Sequence, residues 1–176
     1  MAVEKLLNLQ VNQRAQYIRV IIAELNRIGS HLIAMGTFAQ DLGAYATPLF
    51  YCFSDREKIV EIFDEVCGSR LTYNYMRIGG VHADFTISIE NSIKEFIKYL
   101  RPRLEDYNQL LTHNVIFLAR SKKVGILSKE TAINYAVTGP MLRACGVKWD
   151  LRKDEPYLVY NKFDFDIPTG KNGDSW

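Results

Sequence analysis

The longest regular pattern in the chain lies between Gln13 and about Met35, where apolar residues recur at steps of three and four. The residues that carry the pattern are Ile18, Ile21, Ile22, Leu25, Ile28, Leu32 and Met35. This spacing places them on one face of an α-helix. The sequence therefore predicts a long amphipathic helix, and its apolar face must be buried against other elements of the fold.

A second helix is predicted after this one. Ser54 followed by Glu57 is a capping-box pattern, in which the hydroxyl and the carboxylate satisfy backbone amides at a helix start. Gly68 suits a helix end because glycine readily adopts positive φ. Together these signals predict a helix over Asp55–Cys67.

Further helices are expected in the second half of the chain. The pattern over Ile89–Leu100 predicts one, and Pro102 suits the first turn of another that ends near His113. Ser128 is expected to cap a shorter helix that ends at Tyr135.

The alternation of aromatic and acidic residues in Phe163–Ile167 predicts a strand that enters a turn at Gly170 to Gly173. The chain contains no internal repeat and no clear linker. The predicted fold class is therefore mainly α with minor β, within a single partial domain that covers residues 1–176.

Charge and cysteine content exclude several classes of function. The chain has 22 Lys and Arg against 20 Asp and Glu, and the signs alternate, which predicts no nucleic-acid interface. Cys52, Cys67 and Cys145 are far apart and form no CxxC motif, so packed reduced thiols are expected and no metal site. No dinucleotide or P-loop motif occurs, and no apolar run is long enough to cross a bilayer.

The stretch Thr138–Tyr160, TGPMLRACGVKWDLRKDEPYLVY, follows neither a helical nor a strand period. Gly139 and Pro140 should start a turn or short helix, and Gly146 permits positive φ. Charged residues of both signs then crowd around Trp149. Chemistry alone favours a solvated loop with intermingled charge.

This string, however, resembles the TGPxLR(A/G)SGxxxDxRKxxPYxxY signature of the D subunit of proton-pumping NADH:quinone oxidoreductase, respiratory complex I. Other similar blocks follow the family's order: AVEKLLNLQVNQRAQYIRVIIAEL, SHLIAMGTFAQDLGA, TPLFYCFSDREKI, GSRLTYNYMRIGGV and FDFDIPTGKNGD. The resemblance covers Ala2 to Asp174 and corresponds to the middle part of the family's sequence. The chain is therefore interpreted as an internal fragment.

The resemblance implies a helical core like that of the nickel-iron hydrogenase large subunit. It also implies that the chain forms part of a quinone-reduction chamber, next to a terminal iron-sulfur cluster carried by an adjacent subunit. Quinone would be the substrate, while NADH and flavin bind elsewhere in the complex and no cofactor binds this chain alone. The expected partners are other complex I subunits, especially the cluster-bearing subunit and the membrane subunit of the quinone channel.

The same resemblance implies a peripheral location on the cytoplasmic side of the plasma membrane, reached through partner subunits, or the plastid or mitochondrial equivalent. The isolated fragment is expected to be inactive and poorly behaved, because surfaces that partners would cover are left exposed.

Asp41 is the main candidate for chemistry. It lies in a largely apolar stretch near the expected end of the first long helix, where the helix dipole disfavours an anion. From the residues alone, a structural bond to backbone or to an arginine is the better interpretation. The resemblance instead matches Asp41 to an aspartate that supports the quinone-site histidine, and that histidine is absent from this chain.

Thr47 and Phe50 are candidates for the quinone pocket, although core packing is the usual role of aromatic residues at this density. Compared with the family's GAxTPFF, the stretch from Gly43 to Thr47 carries an extra residue. Thr72 and Arg77 are candidates for contact with the iron-sulfur cluster. Thr72 stands where many relatives have a histidine, so no proton linked to cluster reduction is expected there.

Two other classes of protein stay open on this sequence. One is the large subunit of a membrane-bound hydrogenase, or of a ferredoxin- or F420-linked quinone oxidoreductase. Paired CxxC motifs, which bind nickel in hydrogenases, do not occur in this chain. The other class is a non-catalytic helical interaction module. The sequence assigns no role to Arg143, Arg152 or Lys153.

Overall fold

The computed structural model describes residues 1–176 and is mainly helical, with one two-stranded sheet, which confirms the predicted fold class. The chain forms two compact units, Met1–Asn108 and Gln109–Trp176. The prediction of one partial domain over residues 1–176 stays a prediction. None of the helices combines the length and the apolar character that a bilayer-spanning segment requires.

The first unit contains four helices and a short hairpin. They are α1 (Ala2–Leu6), α2 (Gln13–Asp41), α3 (Thr47–Cys67), β1 (Met76–Arg77), β2 (Gly80–Val81) and α4 (Ile87–Tyr107). The strands pair antiparallel, with Met76 opposite Val81 and Arg77 opposite Gly80.

Helix α2 confirms the long helix that the spacing predicts and continues past Met35, although Ile21 and Met35 of the predicted apolar face are exposed. Asn12 caps its start by accepting a hydrogen bond from the Arg14 amide at 2.8 Å. The helix extends to Asp41 because its buried face also continues, through Gly36 and Ala39. A Cβ on Gly36 would lie 3.1 Å from Leu49 Cδ1, so α2 and α3 pack closely at this point.

Helix α3 begins at Thr47 rather than at Asp55, so the predicted capping box is wrong. Ser54 lies inside the helix, and Pro48 occupies the first turn, where its missing amide costs nothing. The predicted end is confirmed, because Gly68 adopts φ 68° and donates its amide to the Asp64 carbonyl at 2.7 Å.

Helix α4 runs through Pro102, so the prediction of a new helix at that residue is wrong. The helix then continues as a π-helical turn at Asn108–Thr112, which ends one residue before His113, close to the predicted end. Residues on both sides of Pro102 are anchored: Phe96 and Tyr107 are each buried. This packing offsets the backbone hydrogen bond that proline removes.

The core of the first unit lies between α2, α3 and α4. Its buried residues include Ile22, Leu25, Ile59, Phe63, Ile93 and Phe96. Phe63 also stacks on Tyr73, with ring centroids 4.3 Å apart, which ties the segment after α3 to the core.

The second unit contains short helices joined by turns. They are α5 (Val115–Ser121), α6 (Lys129–Asn134), α7 (Gly139–Ala144), α8 (Leu151–Asp154) and a 3-10 turn at Tyr160–Lys162. The Ser128 cap of α6 is confirmed, and Gly139 and Pro140 begin α7 as expected. Gly146 has φ 84°, in agreement with the sequence.

The strand predicted over Phe163–Ile167 is wrong, because this segment pairs with no other strand. Burial still alternates along this segment: Phe165 and Ile167 are half-buried, whereas Asp164 and Asp166 are exposed. The Phe165 ring is covered by Arg152 and Lys153, whose cationic groups lie 4.7 and 4.8 Å from its centroid. Side-chain contacts therefore stabilise the segment in place of a sheet.

Candidate functional site

The loop between α2 and α3 brings Asp41, Thr47 and Phe50 to one end of the first unit. Asp41 is the last residue of α2 and Thr47 the first of α3. The loop is compact: the Ala44 amide donates to the Ala39 carbonyl at 2.9 Å. It turns by means of positive φ at Gly43 (89°) and Ala46 (58°).

The carboxylate of Asp41 is exposed and makes no hydrogen bond or ion pair within the chain. Phe50 is 70% exposed, and Thr47 is also exposed. A polar acceptor and an uncovered aromatic ring are therefore both exposed near the two ends of the α2–α3 loop. Large exposed apolar groups in one region are typical of a surface that binds a ligand or a partner.

Thr72 and Arg77 lie in the segment between α3 and α4. Thr72 is exposed, and its hydroxyl lies 3.1 Å from that of Ser69. Arg77 is the last residue of β1, and its side chain is also exposed. The adjoining turn needs Gly79, which has φ 89°.

The five predicted residues form two separate groups along α2. The backbone carbonyl of Arg77 accepts a hydrogen bond from Arg19, near the start of α2, whereas Asp41 ends the same helix. At 1.5 Å per residue, the segment from Arg19 to Asp41 spans roughly 33 Å. The fold therefore does not bring Asp41 and Arg77 into contact.

Sequence reasoning missed the buried pair of Arg19 and Glu4, which are 1% and 5% exposed. The guanidinium donates to both carboxylate oxygens of Glu4, at 2.6 and 2.8 Å. The hydrogen bond from Arg19, followed by one from the Gly79 amide, lowers the pKa of Glu4 to about 2. The only signal available in the sequence was a lone arginine inside the apolar run of residues 17–23.

Sequence reasoning also missed Asp55, which is completely buried between α3 and α4. Its carboxylate accepts hydrogen bonds from the hydroxyls of Tyr99 and Tyr107 and from the Arg103 guanidinium. The Arg103 guanidinium also lies 4.7 Å from the centroid of the Tyr51 ring. No pattern in the sequence identified this cluster, because its donors lie 44 to 52 residues from Asp55.

Several charged residues of the signature segment have structural partners in the second unit. Asp150 caps α8 and accepts from the Arg152 side chain at 2.7 and 3.0 Å, while Arg143 lies 3.9 Å away. The hydrogen bond from Arg152 outweighs burial and lowers the pKa of Asp150 to about 2. Lys153 covers Phe165 and lies 3.4 Å from Asp164. The solvated-loop interpretation is therefore wrong for Asp150, which is buried.

A groove of about 650 Å³ runs beside the segment that follows Thr72. Its lining includes Asn26 and His31 from α2, and Tyr73 and Met76 from the facing segment. The structure contains no group of three or more His, Cys, Asp or Glu side chains placed to hold a metal ion.

Comparison with known proteins identifies the family of this chain. Residues 41–176 match the family described as respiratory-chain NADH dehydrogenase, 49 Kd subunit. The chain belongs to this family, which confirms the resemblance seen in the sequence.

Named relatives are similar along the whole chain. It is 51% identical over 175 residues to the NADH-quinone oxidoreductase D subunit of Syntrophobacter fumaroxidans, covering 99% of this chain and 47% of that protein. It is 51% identical over 176 residues to the same subunit of Dehalococcoides mccartyi, covering 100% and 48%. Identity to the Bacillus mycoides protein of that name is 49% over 175 residues, covering 99% and 48%. The chain spans about half the length of these relatives.

Proposed function

We propose that this chain contributes to the quinone-reduction chamber of a proton-translocating NADH:quinone oxidoreductase, as part of its D subunit. NADH would supply two electrons through flavin and iron-sulfur clusters in other subunits. The terminal cluster, carried by a neighbouring subunit, would pass them to quinone, and two protons would complete the quinol. The proposed reaction is taken from the names of the relatives, each of which is the D subunit of an NADH-quinone oxidoreductase.

The observation that carries the proposal is the exposed, unpaired Asp41 carboxylate at the end of α2, with exposed Phe50 in the first turn of the helix that follows the loop. A carboxylate in this position can accept a hydrogen bond from an imidazole and hold its orientation. In the proposed complex that imidazole belongs to a histidine outside this chain, which would bond the quinone headgroup. Phe50 and Thr47 would line the path of the quinone.

Arg77 and Thr72 would face the iron-sulfur cluster of the neighbouring subunit. An exposed guanidinium close to a cluster stabilises its more negative, reduced form and so raises its reduction potential. The complex would hold the chain at the cytoplasmic side of the membrane through its membrane subunit, and isolated residues 1–176 would have no quinone reductase activity.

Asp41→Asn in the assembled complex tests the proposal. The amide keeps the size of the side chain but removes the charge that orients the histidine, so quinone reduction should fall on the order of a hundredfold. Electron transfer from NADH to an artificial acceptor before the quinone site should stay near normal. Asp64→Asn is the matched control, because Asp64 is also an exposed carboxylate in the last turn of a helix.

Equal losses of assembly and activity in Asp41→Asn would assign Asp41 a structural role. An assembled variant with unchanged quinone reduction would instead support the non-catalytic module. For the pocket, Phe50→Ala should raise the KM for quinone several-fold with little change in kcat, whereas Ile87→Ala, at another exposed apolar position, should change neither.

A further inference from the structure

The buried pair of Arg19 and Glu4 binds three backbone groups of the turn that carries Arg77. Arg19 donates to the carbonyls of Arg77 and Gly80, both at 2.7 Å, and Glu4 accepts from the Gly79 amide at 2.7 Å. The pair therefore contacts the turn on both sides of its tip.

The hairpin that carries this turn is small, although Met76 and Val81 pack against the core. Strands β1 and β2 contain two residues each, and an isolated two-stranded hairpin is marginal even when longer. The Arg77 and Gly80 carbonyls both bond the buried Arg19, whereas the side chains of Arg77 and Ile78 are exposed. The direction of the Arg77 side chain thus depends in part on backbone bonds to Arg19 of α2.

We propose that Arg19 and Glu4 are positioning residues that hold the Arg77–Gly80 turn so that the Arg77 guanidinium is presented to the cluster-bearing partner. The proposal rests on the proposed function, in which Arg77 faces that cluster. A buried charge pair costs desolvation, and here the cost is offset by charge-assisted bonds to the turn. The proposed site therefore includes the exposed Arg77, the buried Arg19 of α2 and the buried Glu4 of α1.

The chemistry of arginine makes the role specific. The planar guanidinium of Arg19 bonds Glu4 and two backbone carbonyls at once, and its Nε group also donates to the Gly80 carbonyl at 3.0 Å. Lysine keeps the charge but offers a single ammonium without this geometry. Arg19→Lys should therefore loosen the turn without removing the positive charge from the site.

The experiment compares four variants in the assembled complex: Arg19→Lys, Glu4→Gln, Arg77→Ala and Arg14→Lys. Arg14 is the control, because it lies on the same helix and pairs with Asp84 at 2.8 Å but is exposed. One measurement is the midpoint potential and paramagnetic resonance spectrum of the terminal cluster. The other is hydrogen exchange in peptides that contain the Gly79 amide.

Arg19→Lys and Glu4→Gln should speed exchange of the Gly79 amide on the order of tenfold or more. Both should shift the cluster potential downward, in the same direction as Arg77→Ala. Combining either with Arg77→Ala should add little, since the same guanidinium is affected. Arg14→Lys should change neither measurement.

The possible failures are distinct. A shift in Arg77→Ala with none in Arg19→Lys or Glu4→Gln would overturn the positioning role and leave the proposed function intact. No shift in Arg77→Ala would reject the role of Arg77 in the proposed function and, with it, presentation to the cluster. Unchanged exchange at Gly79 would show that the pair does not hold the turn. If Arg19→Lys fails to assemble, Glu4→Gln decides, because it leaves the guanidinium and its carbonyl bonds in place.

Discussion

The hydroxyl of Tyr107 donates a hydrogen bond to the carboxylate of Asp55 at 2.5 Å and joins α4 to α3 inside the first unit. Burial, and then the bond to Asp55, raises the pKa of Tyr107 well above its ordinary value. Tyr99 and Arg103 complete the set of donors. The buried carboxylate is thus fully hydrogen-bonded, and its bonds hold α4 on both sides of Pro102.

Tyr107→Phe is expected to destabilise the chain by about 1–3 kcal/mol, because it leaves a buried carboxylate oxygen with one donor fewer. Urea denaturation followed by far-UV circular dichroism measures the change. Tyr45→Phe removes an exposed hydroxyl and should stay within about 0.5 kcal/mol of the parent. Equal effects of the two substitutions would rule out a stabilising role for the Asp55 cluster.

Asp150 should make the second unit sensitive to acid. Its pKa is lowered from 3.8 to about 2, first by the Arg152 side chain, so the folded state favours the ionised carboxylate. The resulting stability is present above about pH 4 and is lost as the pH falls through about 2. Asp150→Asn should remove this dependence.

Fluorescence of Trp149, next to Asp150, and of Trp176 reports the acid transition in the second unit. Asp166→Asn is the control, because Asp166 is an exposed carboxylate of the same unit. An acid transition that is the same in Asp150→Asn as in the parent would mean that other groups control it.

Gly173→Ala should damage the second unit more than Gly139→Ala. Both glycines have positive φ, 63° and 66°, so both substitutions carry the backbone cost of about 1–2 kcal/mol. A Cβ at Gly173 would also overlap the Leu127 carbonyl, whereas nothing lies within 4 Å of one at Gly139. Thermal unfolding should therefore show a small decrease in Tm for Gly139→Ala and a much larger one for Gly173→Ala; similar decreases would contradict the steric argument.

If Thr72 faces the terminal cluster as proposed, the midpoint potential of that cluster should depend little on pH near neutrality, because a threonine hydroxyl does not titrate there. Thr72→His should introduce such a dependence. Potentiometric titration of the assembled complex, followed by paramagnetic resonance, measures it. Asn74→His is the control, because it introduces a histidine two residues away from position 72. A strong dependence in the unmodified complex would require another titrating group near the cluster.

Local signals in the sequence were sufficient where neighbouring residues decide the structure. The start of α2 and most of its length follow from the period of three and four, and Gly68 and Ser128 act through their own backbone and hydroxyl groups. Family membership also followed from the sequence, since the signature segment and the other blocks are read directly from it.

Tertiary contacts decided the rest. Helix α3 starts earlier than its local signals predict, and α4 continues through Pro102. The packing of Leu49, Cys52 and Tyr107 outweighs the preference of one cap or one proline. The strand predicted at Phe163–Ile167 lacked a partner, and pairing is a property of two segments rather than one.

The sequence by itself determined the family, the long helix and the candidate residues Asp41, Thr47, Phe50, Thr72 and Arg77. Only the tertiary structure decided which buried charges bond the turn that contains Arg77. Arg19 meets the turn residues Arg77 and Gly80 across 58 and 61 positions of the chain. No local pattern encodes such a contact, because a guanidinium is stable in the interior only when the folded chain brings its carboxylate and carbonyl partners to it.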